Sequence, residues 1–194
     1  FTVHQDSYYI LERQYNRRTG YTNQHDLHLS PLTPRMAGTE LAKMNGEMSR
    51  HIVEDYVNYR LSKNGYRWIN GPVIEGGPSI ICSTMRSLGD EFEDRYRNQF
   101  DDMVNQLDIT PDIAYQTFKA VVNELFSDGV NWGRIVALFA FGGSICVQCV
   151  EKNMPRVVDN IVDWVSTYCD NDLRQWINSN GIIHTCNRLS FQIA

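Results

Sequence analysis

The chain has 194 residues, 42% of them hydrophobic and 21% charged, with a formal net charge of −5. A chain of this size can build one domain whose core needs no metal or crosslink, and an acidic balance with no basic stripe excludes a nucleic-acid binder. Such a surface suits basic or amphipathic protein partners instead.

Residues 1–48 are the least regular part, an N-terminal extension rich in Gly, Asn and His with Pro31 and Pro34. Within it residues 7–18 carry Tyr8, Leu11 and Tyr15 at helical spacing, a short helix or an arm pinned by its tyrosines. The region 49–194 reads as the helical domain. Ser49 is the expected N-cap of a helix whose stripe is Ile52, Val53, Tyr56, Val57 and Leu61, stopped by Asn64 and Gly65. The Gly and Pro residues of 70–78 mark a loop, and a second helix is expected over 79–100, with Ile81, Met85, Leu88 and Phe92 on one face. A separate turn of helix is expected over 102–107. Thr110 and Pro111 then look like an N-cap with proline at the first helical position, opening a helix from Ile113 to Phe126 that Asp128 and Gly129 end.

Residues 131–150 are the stretch around which the others are organised. They run NWGRIVALFAFGGSICVQCV, apolar on nearly every side but broken by Gly142, Gly143, Ser144 and Gln148 and bounded by Arg134, Glu151 and Lys152. A bilayer span calls for about 20 continuous apolar residues, so this one reads as the buried centre of a bundle. Pro155 starts a further helix with Val158, Ile161, Val162 and Val165. Asp170 or Asn171 is expected to cap a shorter one bearing Leu173, Trp176 and Ile177, ended by Asn180 and Gly181, and residues 182–191 to hold a last turn or two. No segment alternates with period two and no repeat appears. The expected fold class is therefore all-α, about seven or eight helices around one hydrophobic central helix.

The five cysteines, Cys82, Cys146, Cys149, Cys169 and Cys186, are odd in number and mostly in apolar surroundings. Reduced, buried thiols of an intracellular protein follow that pattern. Since the chain opens at Phe1 with no signal-peptide pattern, it is expected to be part of a longer product.

Four segments, in order, resemble the four homology motifs of the Bcl-2 family of apoptosis regulators. HIVEDYVNYRLSKNGYRW (51–68) is similar to the fourth motif, MRSLGDEF (85–92) to the third, ELFSDGVNWGRIVALFAFGG (124–143) to the first and WINSNG (176–181) to the second. In the second motif the chain departs from the survival members' Gly-Trp continuation, with Ile182 and Ile183. The resemblance covers about residues 50–190 and implies a bundle with a surface hydrophobic groove that receives an amphipathic Bcl-2 homology 3 helix from a pro-apoptotic partner. It implies a groove formed by Phe92, Tyr96, Phe100, Met103, Leu107, Val121, Glu124, Leu125, Asn131, Gly133, Arg134, Ala137 and Phe141. Arg134 would pair with the ligand's aspartate through its planar fork, Asn131 would share that aspartate, and Gly133 would let the ligand backbone approach. It further implies a cytoplasmic and mitochondrial outer-membrane location, with membrane association through a C-terminal anchor absent from this chain.

Four apolar ligand anchors at roughly 1.5 to 3 kcal/mol each give ~6 to 12 kcal/mol gross, against about 2 to 5 kcal/mol for ordering the ligand. The anchors thus set affinity and Arg134 sets register. Set against this, Val121, Leu125 and Ala137 suit an ordinary core, Arg134 suits a carbonyl cap or a surface ion pair, and Trp68, Trp132 and Trp176 suit helix contacts. The fourth motif and the run from Glu124 to Arg134 lean toward a pro-survival, anti-apoptotic member; the same motifs also occur in effector members that permeabilise the mitochondrial outer membrane, and Ile182-Ile183 and Ala140 leave room for that alternative. A thiol redox role for the C-x-x-C at Cys146 and Cys149 is the reading from outside the family. No hydrolase motif, phosphate loop, cofactor signature or metal-ligand spacing is visible, and the chain is not expected to be an enzyme.

Overall fold

The computed structural model describes residues 46–73, 77–107 and 109–180, and the side chains of all of these but 98, 99, 101, 103 and 105. The expected elements at 7–18 and 182–191 lie outside the described residues. Among the described residues six α-helices run in chain order: α1 (Gly46–Lys63), α2 (Ile80–Gln106), α3 (Ala114–Leu125), α4 (Trp132–Glu151), α5 (Arg156–Tyr168) and α6 (Arg174–Asn180). A π-helical turn, Cys169–Leu173, joins the last two. The described residues contain no strand, and the fold is all-α.

The axis is α4, buried along almost its whole length, with Leu138, Ala140, Phe141, Cys146 and Cys149 fully enclosed. It packs on α1, α2 and α5, and α3 lies along it as well. Helix α1 comes close to α4 and to α2 because glycine leaves room on each. A Cβ on Gly143 would stand 2.8 Å from Arg60 Cγ of α1, and one on Gly89 of α2 would stand 2.0 Å from the Tyr56 hydroxyl. Real side chains do not meet at such distances, so α1 can seat only against glycine at both places.

Local signals explain several boundaries. The Ser79 hydroxyl accepts the Cys82 N–H at 3.2 Å and caps α2. Gly65 and Gly129 take positive φ at the expected stops, and Asn153 does so after α4.

Four expectations are corrected. Ser49 is not an N-cap: α1 already starts at Gly46, and Ser49 sits wholly buried within it. The helix expected over 79–100 and the turn over 102–107 are instead a 27-residue run, Ile80–Gln106, divided by a kink at Tyr96 (φ −120°, ψ 18°), and Gln148 of α4 donates to the Val104 carbonyl at 3.2 Å in its second half. Thr110 does not cap with its side chain. Its carbonyl accepts from Ile113 and Ala114 through a turn at Pro111, and α3 begins at Ala114. Nor does Asp170 or Asn171 open a new helix, because the backbone passes through the π-helical turn without a break, and Asp170 pairs with Arg174 at 3.0 Å.

Candidate functional site

The residues expected to form a groove come from three helices gathered round one stretch of α4. Phe92, Tyr96 and Phe100 follow one another along α2 in ring contact, Phe92 lying 5.0 Å from Tyr96 and 5.6 Å from Phe100 between centroids. The bend at Tyr96 falls in the middle of this cluster. Val121 and Leu125 face inward from α3, Ala137 and Phe141 from α4, and Phe118 of α3 stacks on Phe141 at 6.3 Å. Helix α2 packs broadly on α4, whereas α3 touches α4 at few points and α2 hardly at all. They flank a common base from two sides.

All these apolar residues belong to one contiguous core cluster, none more than 9% exposed, with Leu107 partly buried at its edge. The side chain of Met103 lies outside the described residues. Glu124 is half-buried, and its carbonyl accepts from Ser127.

The polar end is the first turn of α4. Asn131 is the N-cap: its side-chain oxygen accepts the Arg134 N–H at 2.8 Å, which fixes the entry of the helix and leaves the amide NH2 as a donor. Gly133 is buried in the same turn. Arg134 is 5% exposed. Its Nη1 donates to the Gly129 carbonyl at 2.5 Å and its Nη2 reaches Asp128 at 3.4 Å. A carbonyl contact and a long ion pair are therefore both present at the residue expected to meet a ligand's aspartate. The Asp128 side chain is 50% exposed, so a carboxylate arriving from outside would compete with a well-hydrated partner and not with a buried one.

Sequence reasoning missed a second polar array, between the segments that resemble the fourth and third motifs. Arg86 of α2 grips Asp55 of α1 through Nε at 2.9 Å and Nη2 at 2.5 Å, and it lies 5.0 Å over the Tyr59 ring. The Tyr59 hydroxyl donates to Asp90, Lys63 meets the same carboxylate at 2.7 Å, and Arg60 pairs with Glu93. Burial pushes the Glu93 carboxyl up to about 7 against the opposing pull of Arg60. The signal was present as two matched stripes, Asp55, Tyr59 and Lys63 on one helix and Arg86, Asp90 and Glu93 on the other, at spacings of three and four.

The tryptophans serve as helix contacts. Trp132 meets Trp176 edge to face at 5.5 Å, and the Trp68 indole donates to Asp159 at 2.7 Å. Cys146 and Cys149 are fully enclosed, and burial raises both thiols, Cys149 to about 11 and Cys146 well above the ordinary range. That is the reverse of what an attacking thiolate needs. Among the described residues no His, Cys, Asp and Glu group could hold a metal ion.

Comparison with known proteins agrees with the helical arrangement. A profile described as apoptosis regulator proteins, Bcl-2 family, matches residues 85–181, and one for Bcl-2 homology region 4 matches residues 49–69. Bcl-2-like protein 1 of Rattus norvegicus is 38% identical over 184 residues, covering 70% of this chain and 79% of its own. Apoptosis regulator R1 of Xenopus laevis is 44% identical over 134 residues (69% and 57%), and apoptosis regulator Bcl-2 of Canis lupus familiaris 35% identical over 187 (72% and 79%). With its two walls on a buried central helix and matches of this extent, the chain belongs to the Bcl-2 family of apoptosis regulators.

Proposed function

We propose that this chain is a survival member of the family, a binding protein and not an enzyme, that takes the Bcl-2 homology 3 helix of pro-apoptotic partners into the interval between α2 and α3. The observation that carries this reading is the separation of those helices over α4. Helix α2 is well seated on α4, whereas α3 touches both α4 and α2 only lightly, so α3 can move outward around an inserted amphipathic helix while α2 keeps its seat. Ligand anchors would displace the Phe92, Tyr96 and Phe100 rings toward the bend in α2 and meet Val121, Leu125, Ala137 and Phe141. At the end of the trough a ligand aspartate would take the place of Asp128 on Arg134. Resemblance to Bcl-2-like protein 1 and Bcl-2 supports the survival role and a cytoplasmic and mitochondrial outer-membrane location. An effector that opens that membrane is the second reading, favoured by α4 itself, which is long and apolar enough to cross a bilayer.

Calorimetric titration with a Bcl-2 homology 3 peptide tests the binding. Removing one partner of a desolvated charge pair costs roughly 2 to 5 kcal/mol, a loss of about thirtyfold or more in affinity. Arg134→Ala should show that loss while staying folded by circular dichroism, and Asp128→Asn should bind at least as tightly as the parent. Equal affinity of Arg134→Ala and the parent would remove Arg134 from the site.

A further inference from the structure

On the other flank of α3 a surface pocket of about 290 Å3 opens between α3, the last turns of α5 and the π-helical turn. None of its lining residues belongs to the candidate groove. Four aromatic rings line it: Tyr115 and Phe118 from α3, Trp164 and Tyr168 from α5. The rings brace one another, Trp164 lying 5.1 Å from Tyr115 and 5.7 Å from Phe118 between centroids. Two side chains of opposite charge complete the lining, Lys119 from α3 and Asp172 from the π-helical turn. Both are exposed, and neither is paired with the other or with another side chain. Helical turns of this wide kind are frequent at functional sites. Here the turn carries Asp172 close enough to the Tyr168 phenol to add, after burial, to the rise of its pKa to about 12.

The dimensions and chemistry select the occupant. Small-molecule pockets begin near ~300 Å3, so this one suits a headgroup and not a helix. Aromatic walls with a carboxylate beside them attract a quaternary ammonium, which gives up little hydration on entering. An unpaired lysine at the same mouth offers a point charge to a phosphate. We propose that this pocket binds a zwitterion carrying a trimethylammonium group and a phosphate, the chemistry of a phosphocholine headgroup, with the cation on the rings and Asp172 and the phosphate on Lys119.

The full chain, isotopically labelled, can be titrated with phosphocholine, choline chloride and inorganic phosphate while amide resonances are followed. Phosphocholine should give saturable shifts confined to residues 115–123 and 164–172. Its affinity should exceed that of either half-ligand by about tenfold, one such factor being the worth of a single additional charge contact of ~1.4 kcal/mol. The Lys119→Gln, Asp172→Asn double variant, altered only at exposed positions, should keep the parent's spectrum elsewhere and lose the saturable shifts. Absence of saturable shifts in the parent, or shifts retained in the double variant, would overturn the proposal. Co-sedimentation with phosphatidylcholine vesicles, against phosphatidylglycerol vesicles, separates the two sources of the headgroup. Selective pelleting that the double variant loses assigns a bilayer lipid, and saturable phosphocholine shifts without pelleting assign a soluble ligand. Peptide calorimetry at the groove is untouched by either result.

Discussion

At Gly89 the absence of one methyl group decides how near α1 can come to α2. A Cβ there would overlap the Tyr56 hydroxyl and ring, and overpacking of this kind costs about 1 to 3 kcal/mol. Gly89→Ala should therefore lower the denaturation midpoint, and adding Tyr56→Phe should restore part of the loss, because the oxygen is the nearest atom. Tyr56→Phe alone should be neutral or stabilising in the same assay, since that hydroxyl is buried with no hydrogen-bond partner. Glu93 makes a different prediction from the same interface. Its carboxyl is raised from 4.5 to about 7 in the folded chain, by burial first. The folded state then holds this proton more tightly than the unfolded state does. The resulting stabilisation is complete below the unfolded value of 4.5 and is lost as pH rises through about 7. Urea midpoints measured across that window should fall with rising pH, and Glu93→Gln should flatten the dependence. A slope unchanged in the variant would assign it to another group.

At the scale of elements, what was legible in the sequence was what short-range chemistry decides. The stops at Gly65 and Gly129 and the apolar course of α4 each rest on groups a few positions apart, and they stand in the structure as expected. Ser49 was misread because a capping residue and a small buried residue look alike when the helix continues upstream to Gly46. The place of the kink, at Tyr96 and not after Phe100, was not legible, because groups as distant as Gln148, forty-four positions from Val104, help to hold the second half. The π-helical turn likewise has no local signature in CDNDL. In the candidate site, the family motifs pointed to residues on α2, α3 and α4 whose apolar members lie in one core cluster, and no pattern of spacing tells a groove floor from ordinary core. The Gln148 contact can be tested directly. Gln148→Leu keeps the bulk and removes one of two donors to the Val104 carbonyl, which retains the Leu107 N–H at 3.3 Å, so the loss is that of one hydrogen bond, about 0.5 to 1.5 kcal/mol. Amide hydrogen exchange should quicken in residues 100–106 far more than in residues 80–92. Uniform quickening along α2 would mean that the contact does not anchor that half.

For the whole molecule, survival and pore-forming readings differ in what must happen to α4. It is 20 residues long and its most apolar 18-residue window has a mean hydropathy of 1.6, yet 78% of that window is buried. In lipid its own side chains would exchange one apolar setting for another, so resistance to leaving comes from the helices it would strip. Val157, Val158, Ile161, Val162 and Val165 of α5 are all buried. At about 1.5 to 3 kcal/mol each, exposing five such side chains to water costs roughly 7 to 15 kcal/mol, as much as the ~5 to 15 kcal/mol that holds a whole domain together. Spontaneous exit of α4 alone is therefore disfavoured, and the chain should not release dye from liposomes, with or without an activating peptide. It should instead suppress release by a permeabilising family member. The thiols provide an independent reading of the same event. Cys146 and Cys149, enclosed on α4, should resist a maleimide reagent in solution and in the presence of liposomes. If dye is released and these thiols become labelled together, α4 has left the core, and the survival reading gives way to the effector one. Release with the thiols still protected would point instead to a surface route that leaves the bundle closed.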